Sequence, residues 1–255
     1  MSISFIQATQ SKSLWQPLSD ELARWAQADQ PVKLWLRDDD AVRPTAGLER
    51  LLDLCETRDV PLLIATIPLQ AQTELADAWG KHPLVQFATH GIRHINNAPV
   101  DRKAEELPME RGEAIIRADL ALARARMKDL FGASAAARYV PPWNRISPEV
   151  AAWLPSLGFH WISTFGFKQT CESPGLLQSN THVDIVNWKQ AKTGRSLDWT
   201  IAALAQALAQ AREDGQQSVG LLTHHLVHDA MAWHTLETML AWCADQDGVQ
   251  WTAVE

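Results

Sequence analysis

The chain alternates between two rhythms of apolar residues. Residues 60–67 and 219–222 form short, almost wholly apolar runs, the pattern of a strand buried on both faces. Longer stretches place apolar residues three and four apart, with Leu48, Leu51, Leu52 and Cys55 within 45–58 and Ile115, Ile116, Leu120 and Met127 within 108–130. That spacing is a helical period. Further strands are predicted at 33–37, 84–88, 138–140, 160–164, 182–187 and 249–253, and further helices at 71–79, 147–157, 197–213 and 230–244. Ser147-Pro148 reads as a helix start, with proline at the first helical position. A helix over 18–26 puts Leu18, Leu22 and Trp25 on one face, and residues 165–180, rich in Gly, Ser, Pro and Gln, are expected to be loop.

Strands that alternate with helices imply a parallel sheet, and strands apolar on both faces imply a closed or nearly closed α/β barrel. A length of 255 residues suits one such domain, so 1–255 is expected to fold as a single barrel with an N-terminal helical extension over 1–30. The chemistry-bearing residues fall just after predicted strands, on the rim where βα loops build barrel active sites. They are Asp38-Asp39-Asp40, His90 with His94, Pro142-Trp143-Asn144-Arg145, Asn187-Trp188 and His224-His225.

Two histidines four apart and a run of carboxylates are the ingredients of a transition-metal site, with both imidazoles expected on one side of a helical turn. Three adjacent aspartates cannot all be buried and ionised without a compensating cation, since each raises the others' pKa values. At this level any of the three could be the carboxylate ligand. Elsewhere, composition mainly excludes. A net charge of -7 with no basic cluster speaks against nucleic acid as a partner. No run of about eighteen apolar residues predicts a membrane span, and the start Met1-Ser-Ile-Ser-Phe-Ile has no charged, apolar leader, so a cytoplasmic location is expected. Cys55, Cys171 and Cys243 are three and far apart, which predicts reduced thiols.

Taken in order, Asp-Asp, His90-x-x-x-His94, Tyr139-Val140-Pro141-Pro142-Trp143, Asp184 with Asn187-Trp188, and Leu222-Thr223-His224 resemble the motifs of the polysaccharide deacetylases of the NodB-homology type, over roughly 33–225. The resemblance implies a distorted (β/α)7-type barrel and a metal-dependent hydrolase that removes an acyl group, acetyl first, from an amide-linked sugar or sugar conjugate. It implies Asp39, His90 and His94 as ligands of a divalent ion, zinc first and cobalt, manganese, nickel or iron as alternatives. Asp38 would be the general base and His224 the general acid. Asp40 stands where the family has glycine and is expected in a solvated turn. Pro142, Trp143, Asn144, Arg145, Trp188 and His225 are the expected contacts to a small-molecule or glycan substrate. Val140 occupies the place of the family's arginine, so the residue that orients the base must be Arg37, Arg138, Arg145 or none. The same substitution keeps open a non-catalytic carbohydrate-binding or regulatory member, and a hydrolase of a non-sugar C–N bond is a further alternative.

Overall fold

The computed structural model describes residues 2–28, 30–190 and 192–254, with side chains from residue 14 onward. Along the chain run α1 (Ser2–Gln27), β1 (Val32–Ala41), α2 (Ala46–Glu56), β2 (Leu62–Thr66), α3 (Thr73–Trp79), β3 (Val85–His90), α4 (Glu113–Phe131), β4 (Ala135–Val140), α5 (Pro148–Trp153) and β5 (Trp161–Ile162). There follow β6 (Leu177–Gln178), β7 (Thr181–Asp184), β8 (Val186–Asn187), β9 (Thr193–Gly194), α6 (Leu197–Glu213), β10 (Ser218–Thr223), α7 (Ala230–Ala244) and β11 (Val249–Trp251). The predicted helices recur, α2 with Leu48, Leu51, Leu52 and Cys55 buried as the period requires and with Thr45 capping Leu48 N–H at 3.1 Å.

The main sheet has the order β6-β5-β4-β3-β2-β1-β10-β7, with β11 added beside β1, and its pairings are parallel. Its two ends belong to one path. Ser179 N–H donates to Ile162 O at 3.2 Å and Thr181 N–H to Thr164 O at 3.2 Å, while β7 pairs with β10. Segment 177–184 therefore bonds β5 with its first half and β10 with its second, which closes a distorted (β/α)7-type barrel. The composition of 165–180 predicts loop throughout, whereas Leu177–Gln178 is strand. This polar stretch lacks an apolar alternation because its register is set by ring closure.

Trp35, Leu63, Ala65, Ala88, Val140 and Trp161 fill the interior, with Trp35 and Trp161 edge to face at 6.0 Å. Gly220 makes room for them, since a Cβ there would lie 2.4 Å from the Trp35 ring. The outer faces of the strands pack under the helices. The N-terminal helix lies on that layer: Leu18 and Trp25 are buried, Trp25 Nε1–H donates to Leu208 O at 3.2 Å, and Trp15 stacks on Trp242 at 4.4 Å. No described helix is long and apolar enough to cross a membrane, and Cys55, Cys171 and Cys243 are free thiols.

Candidate metal centre and active site

Strand β1 carries three aspartates, and each finds a different partner. Alternation along a strand sends neighbouring side chains to opposite faces. Arg37 and Asp39 therefore face the barrel interior with Trp35, and Asp38 faces outward. Both Asp38 oxygens are engaged there by His225, one by its backbone N–H at 2.8 Å and the other by its Nδ1. Both residues are buried. Asp39 meets the Arg37 fork, with Nε 2.9 Å from Oδ1 and Nη2 donating to Oδ2 at 3.0 Å. The same guanidinium donates to Asn144 Oδ1 at 2.7 Å and to Ser163 Oγ at 2.7 Å, so all its edges are anchored. Arg37 is thus the candidate, of those open at Val140, that reaches an aspartate of the run.

Asp40 breaks the alternation. Asp38 pairs with Ile64 and Ala41 with Thr66, so β1 spends one residue more than β2 over this interval, a bulge at which Asp40 takes φ 74°. The expected grouping of Asp39 with His90 and His94 is not the one that the structure brings together. Asp40, and not Asp39, faces the histidine pair, with its Oδ1 3.1 Å from His90 Nε2 and 3.3 Å from His94 Nε2. Neither is it a free, solvated turn residue: Oδ1 is buried and takes no hydrogen bond of good geometry among the described residues. One donor atom from each of Asp40, His90 and His94 lies within 4.8 Å of the others. A buried carboxylate oxygen without a hydrogen bond, facing two imidazole nitrogens, is a donor set that fits a divalent ion.

The histidines are not on a helical turn as expected. His90 ends β3, Gly91 follows with φ 59°, and His94 takes φ 56° in an irregular loop. Two features hold that loop. His90 Nδ1 lies 3.0 Å from Val140 O, which fixes the tautomer that leaves Nε2 toward Asp40. Buried Glu106 accepts from the N–H groups of Ile92 at 2.8 Å and Arg93 at 2.7 Å, and Gly91 is required because a Cβ would lie 2.0 Å from Glu106 Oε2. Nothing in the sequence around Glu106 marks it, since its partners are backbone amides. Burial disfavours the His90 imidazolium, but the Asp39 and Asp40 carboxylates outweigh it and hold its pKa above the ordinary value. Burial also pushes Asp40 upward, and the contact with His90 reverses this to leave it well below the usual range.

Across the mouth, His224 Nε2 lies 3.9 Å from Asp39 Oδ2, and its ring meets Trp188 edge-on at 4.6 Å. Trp188 is held by Asp184, which accepts its Nε1–H at 2.8 Å, and burial raises the pKa of that carboxyl. Trp143 takes φ 56° and packs against His94 with centroids 4.5 Å apart. Asn144 and Arg145 donate their N–H groups to Pro141 and Pro142, whereas the Trp143 N–H has no protein acceptor among the described residues. Asp40, His94, Trp143 and Asn144 are four of the six non-glycine residues with positive φ among those described, so backbone strain concentrates at this rim. Of the other expected substrate contacts, Pro142 is buried next to Gly91, Arg145 reaches Ala104 O at 3.0 Å, and His225 lies under the rim against Asp38.

No family model matches the sequence, and no curated protein matches it significantly. Solved structures do match in fold. A Mycobacterium smegmatis protein assigned to the polysaccharide deacetylases superposes with a TM-score of 0.64 at 14% identity, covering 88% of this chain and 87% of that one. The catalytic domain of a peptidoglycan N-acetylglucosamine deacetylase from Eubacterium rectale gives 0.56 at 13% identity, covering 88% of each chain. Puue allantoinase gives 0.55 at 14% identity, covering 87% of each. The fold is thus the barrel that these proteins share.

Proposed function

We propose that the chain is a divalent-metal-dependent hydrolase that removes an acyl group, acetyl first, from an amide nitrogen of a sugar or sugar conjugate. The observation that carries this reading is the meeting of Asp40, His90 and His94 at the barrel mouth, beside a second carboxylate clamped separately by Arg37. A divalent ion held by those three residues, with zinc the first choice from the donor set, would polarise a carbonyl and acidify a water.

The remaining steps belong to the chain itself. Asp39, oriented by Arg37, takes a proton from the attacking water. The role expected of Asp38 passes to Asp39 because Asp39 faces the barrel interior, its Oδ2 3.9 Å from His224 Nε2, whereas Asp38 points outward against His225. The unengaged Trp143 N–H is a donor for the oxyanion that develops on the former carbonyl. His224, across the mouth from Asp39, gives a proton to the departing nitrogen. Arg37 also weighs against the non-catalytic reading, since it restores from β1 the charge that Val140 removes. The test is acetate release from a panel of N-acetylated sugars with added zinc, cobalt or manganese. Allantoin belongs in the panel because the same groups would serve a non-sugar C–N bond. A chain that binds metal but turns over none of these would return the non-catalytic reading.

Two expected results follow from the site. His224→Ala should keep its metal and lose amide hydrolysis by roughly 100- to 10,000-fold, while an activated ester, whose leaving group needs little protonation, is largely spared. His225→Ala should affect both substrates alike, through loss of the buried contact with Asp38. An amide-selective loss in His225→Ala alone would reassign the acid. Separately, metal binding should release protons and weaken as pH falls, since protons compete for the imidazoles; isothermal titration in two buffers of different ionisation enthalpy measures this.

A further inference from the structure

A cavity of about 210 Å³ lies at the other end of β10 from His224, between the loop after β5, the strand path 178–182 and the turn before β10. It shares no residue with the rim. Ser218, on its wall, is six residues before His224, a separation of about 20 Å at roughly 3.3 Å per strand residue.

None of the ten lining residues carries a formal charge when histidine is neutral. His182 is neutral: burial lowers its pKa to about 4, and its Nδ1 accepts the Gly220 N–H at 3.2 Å, so Nε2 carries the proton as a donor. Phe167 stands against its ring at 4.3 Å, which supplies an apolar wall. The floor is rigid. Asn180 Oδ1 accepts from Thr164 N–H at 2.8 Å, its Nδ2 donates to Gly166 O at 2.7 Å, and Gln178 Oε1 accepts from Thr170 N–H at 2.8 Å. By contrast, the side chains of Ser179, Gln216, Gln217 and Ser218 make no side-chain hydrogen bond among the described residues, so both donors and acceptors are unspent.

From this lining we propose that the cavity is a second binding site, separate from the catalytic centre, for a neutral polyhydroxylated ring such as a single sugar unit. A charged ligand would find no counter-ion among these residues, whereas hydroxyls can both donate to and accept from amides and serines, and a ring face can rest on Phe167. The volume is below the roughly 300–1,000 Å³ of sites for larger ligands, which limits the occupant to about one ring. The inference rests on the lining alone and stands whether or not the rim hydrolyses amides.

The test is NMR titration of the full chain, with assigned backbone amides, against glucose and N-acetylglucosamine as neutral probes and glucuronate and glucosamine as charged ones. Neutral sugars should shift the amides of 166–169, 178–182 and 216–218 with millimolar affinity, and the charged probes should shift them at least several-fold more weakly. Ser179→Tyr, which fills the cavity, should abolish these shifts. Gln216→Ala with Gln217→Ala, which removes only surface amides, should weaken them in a chain whose Tm confirms folding. The proposal is overturned if neutral sugars shift only rim amides or none, if the charged probes bind equally well, or if the folded double variant binds unchanged.

Discussion

Asp40→Ala should lose its divalent ion, whereas Asp39→Asn and Asp38→Asn should each retain it. Asp40 Oδ1 is the carboxylate oxygen that faces both imidazoles. Its removal takes away one of three protein donors, so affinity should fall by more than the roughly 10- to 100-fold that loss of an outer partner costs. Asp39 touches Arg37, and Asp38 touches His225. Asp39→Asn should therefore retain the ion and lower turnover by about 100- to 10,000-fold, the contribution of a positioned base. Metal content by elemental analysis after dialysis, paired with acetate release, separates the roles. A metal-free Asp39→Asn beside a fully loaded Asp40→Ala would return the ligand role to Asp39.

Arg37→Met should cost about 3–5 kcal/mol of stability, because it strands the Asp39 carboxylate in a buried position without its partner. Arg37 is fully buried and Asp39 is 2% exposed, so water cannot replace the guanidinium. Pairing Arg37→Met with Asp39→Leu should recover most of that loss, since an apolar pair of similar volume removes the unpaired charge. Neither variant should turn over substrate. Arg37→Lys should recover little, because an ammonium cannot span Asp39, Asn144 and Ser163 at once. Urea unfolding measures all three. A loss below about 1 kcal/mol in Arg37→Met would place the pair with exposed ion pairs, whose contribution is that small.

Which carboxylate meets the histidine pair turns on a single local event, the bulge between Asp38 and Ala41. Strand alternation read from the sequence puts Asp38 and Asp40 on one face and Asp39 on the other, and nothing in Arg-Asp-Asp-Asp-Ala announces an extra residue. Aspartate tolerates positive φ better than most side chains. That tolerance lets Asp40 take φ 74° while turning its carboxylate to the mouth. The requirement that three adjacent carboxylates be compensated was legible, but the compensation is not one shared cation. Asp38 has His225, Asp39 has Arg37, and Asp40 has the histidine pair.

The amino-acid sequence by itself determined the alternation of strand and helix, the parallel barrel, and the placing of His90, His94 and His224 at one end of the strands. These are local properties: a period of 3.6 or 2 and the position of a polar residue after an apolar run are written in neighbouring residues. Tertiary structure alone decided which aspartate meets which partner, since His225 lies 187 residues from Asp38 and His90 and His94 about fifty from Asp40, and all three reach the run only when the strands pair. It also decided that 177–184 closes the barrel and that Glu106 holds the histidine loop. Backbone amides and ring closure make those demands, and neither leaves an apolar pattern in the chain.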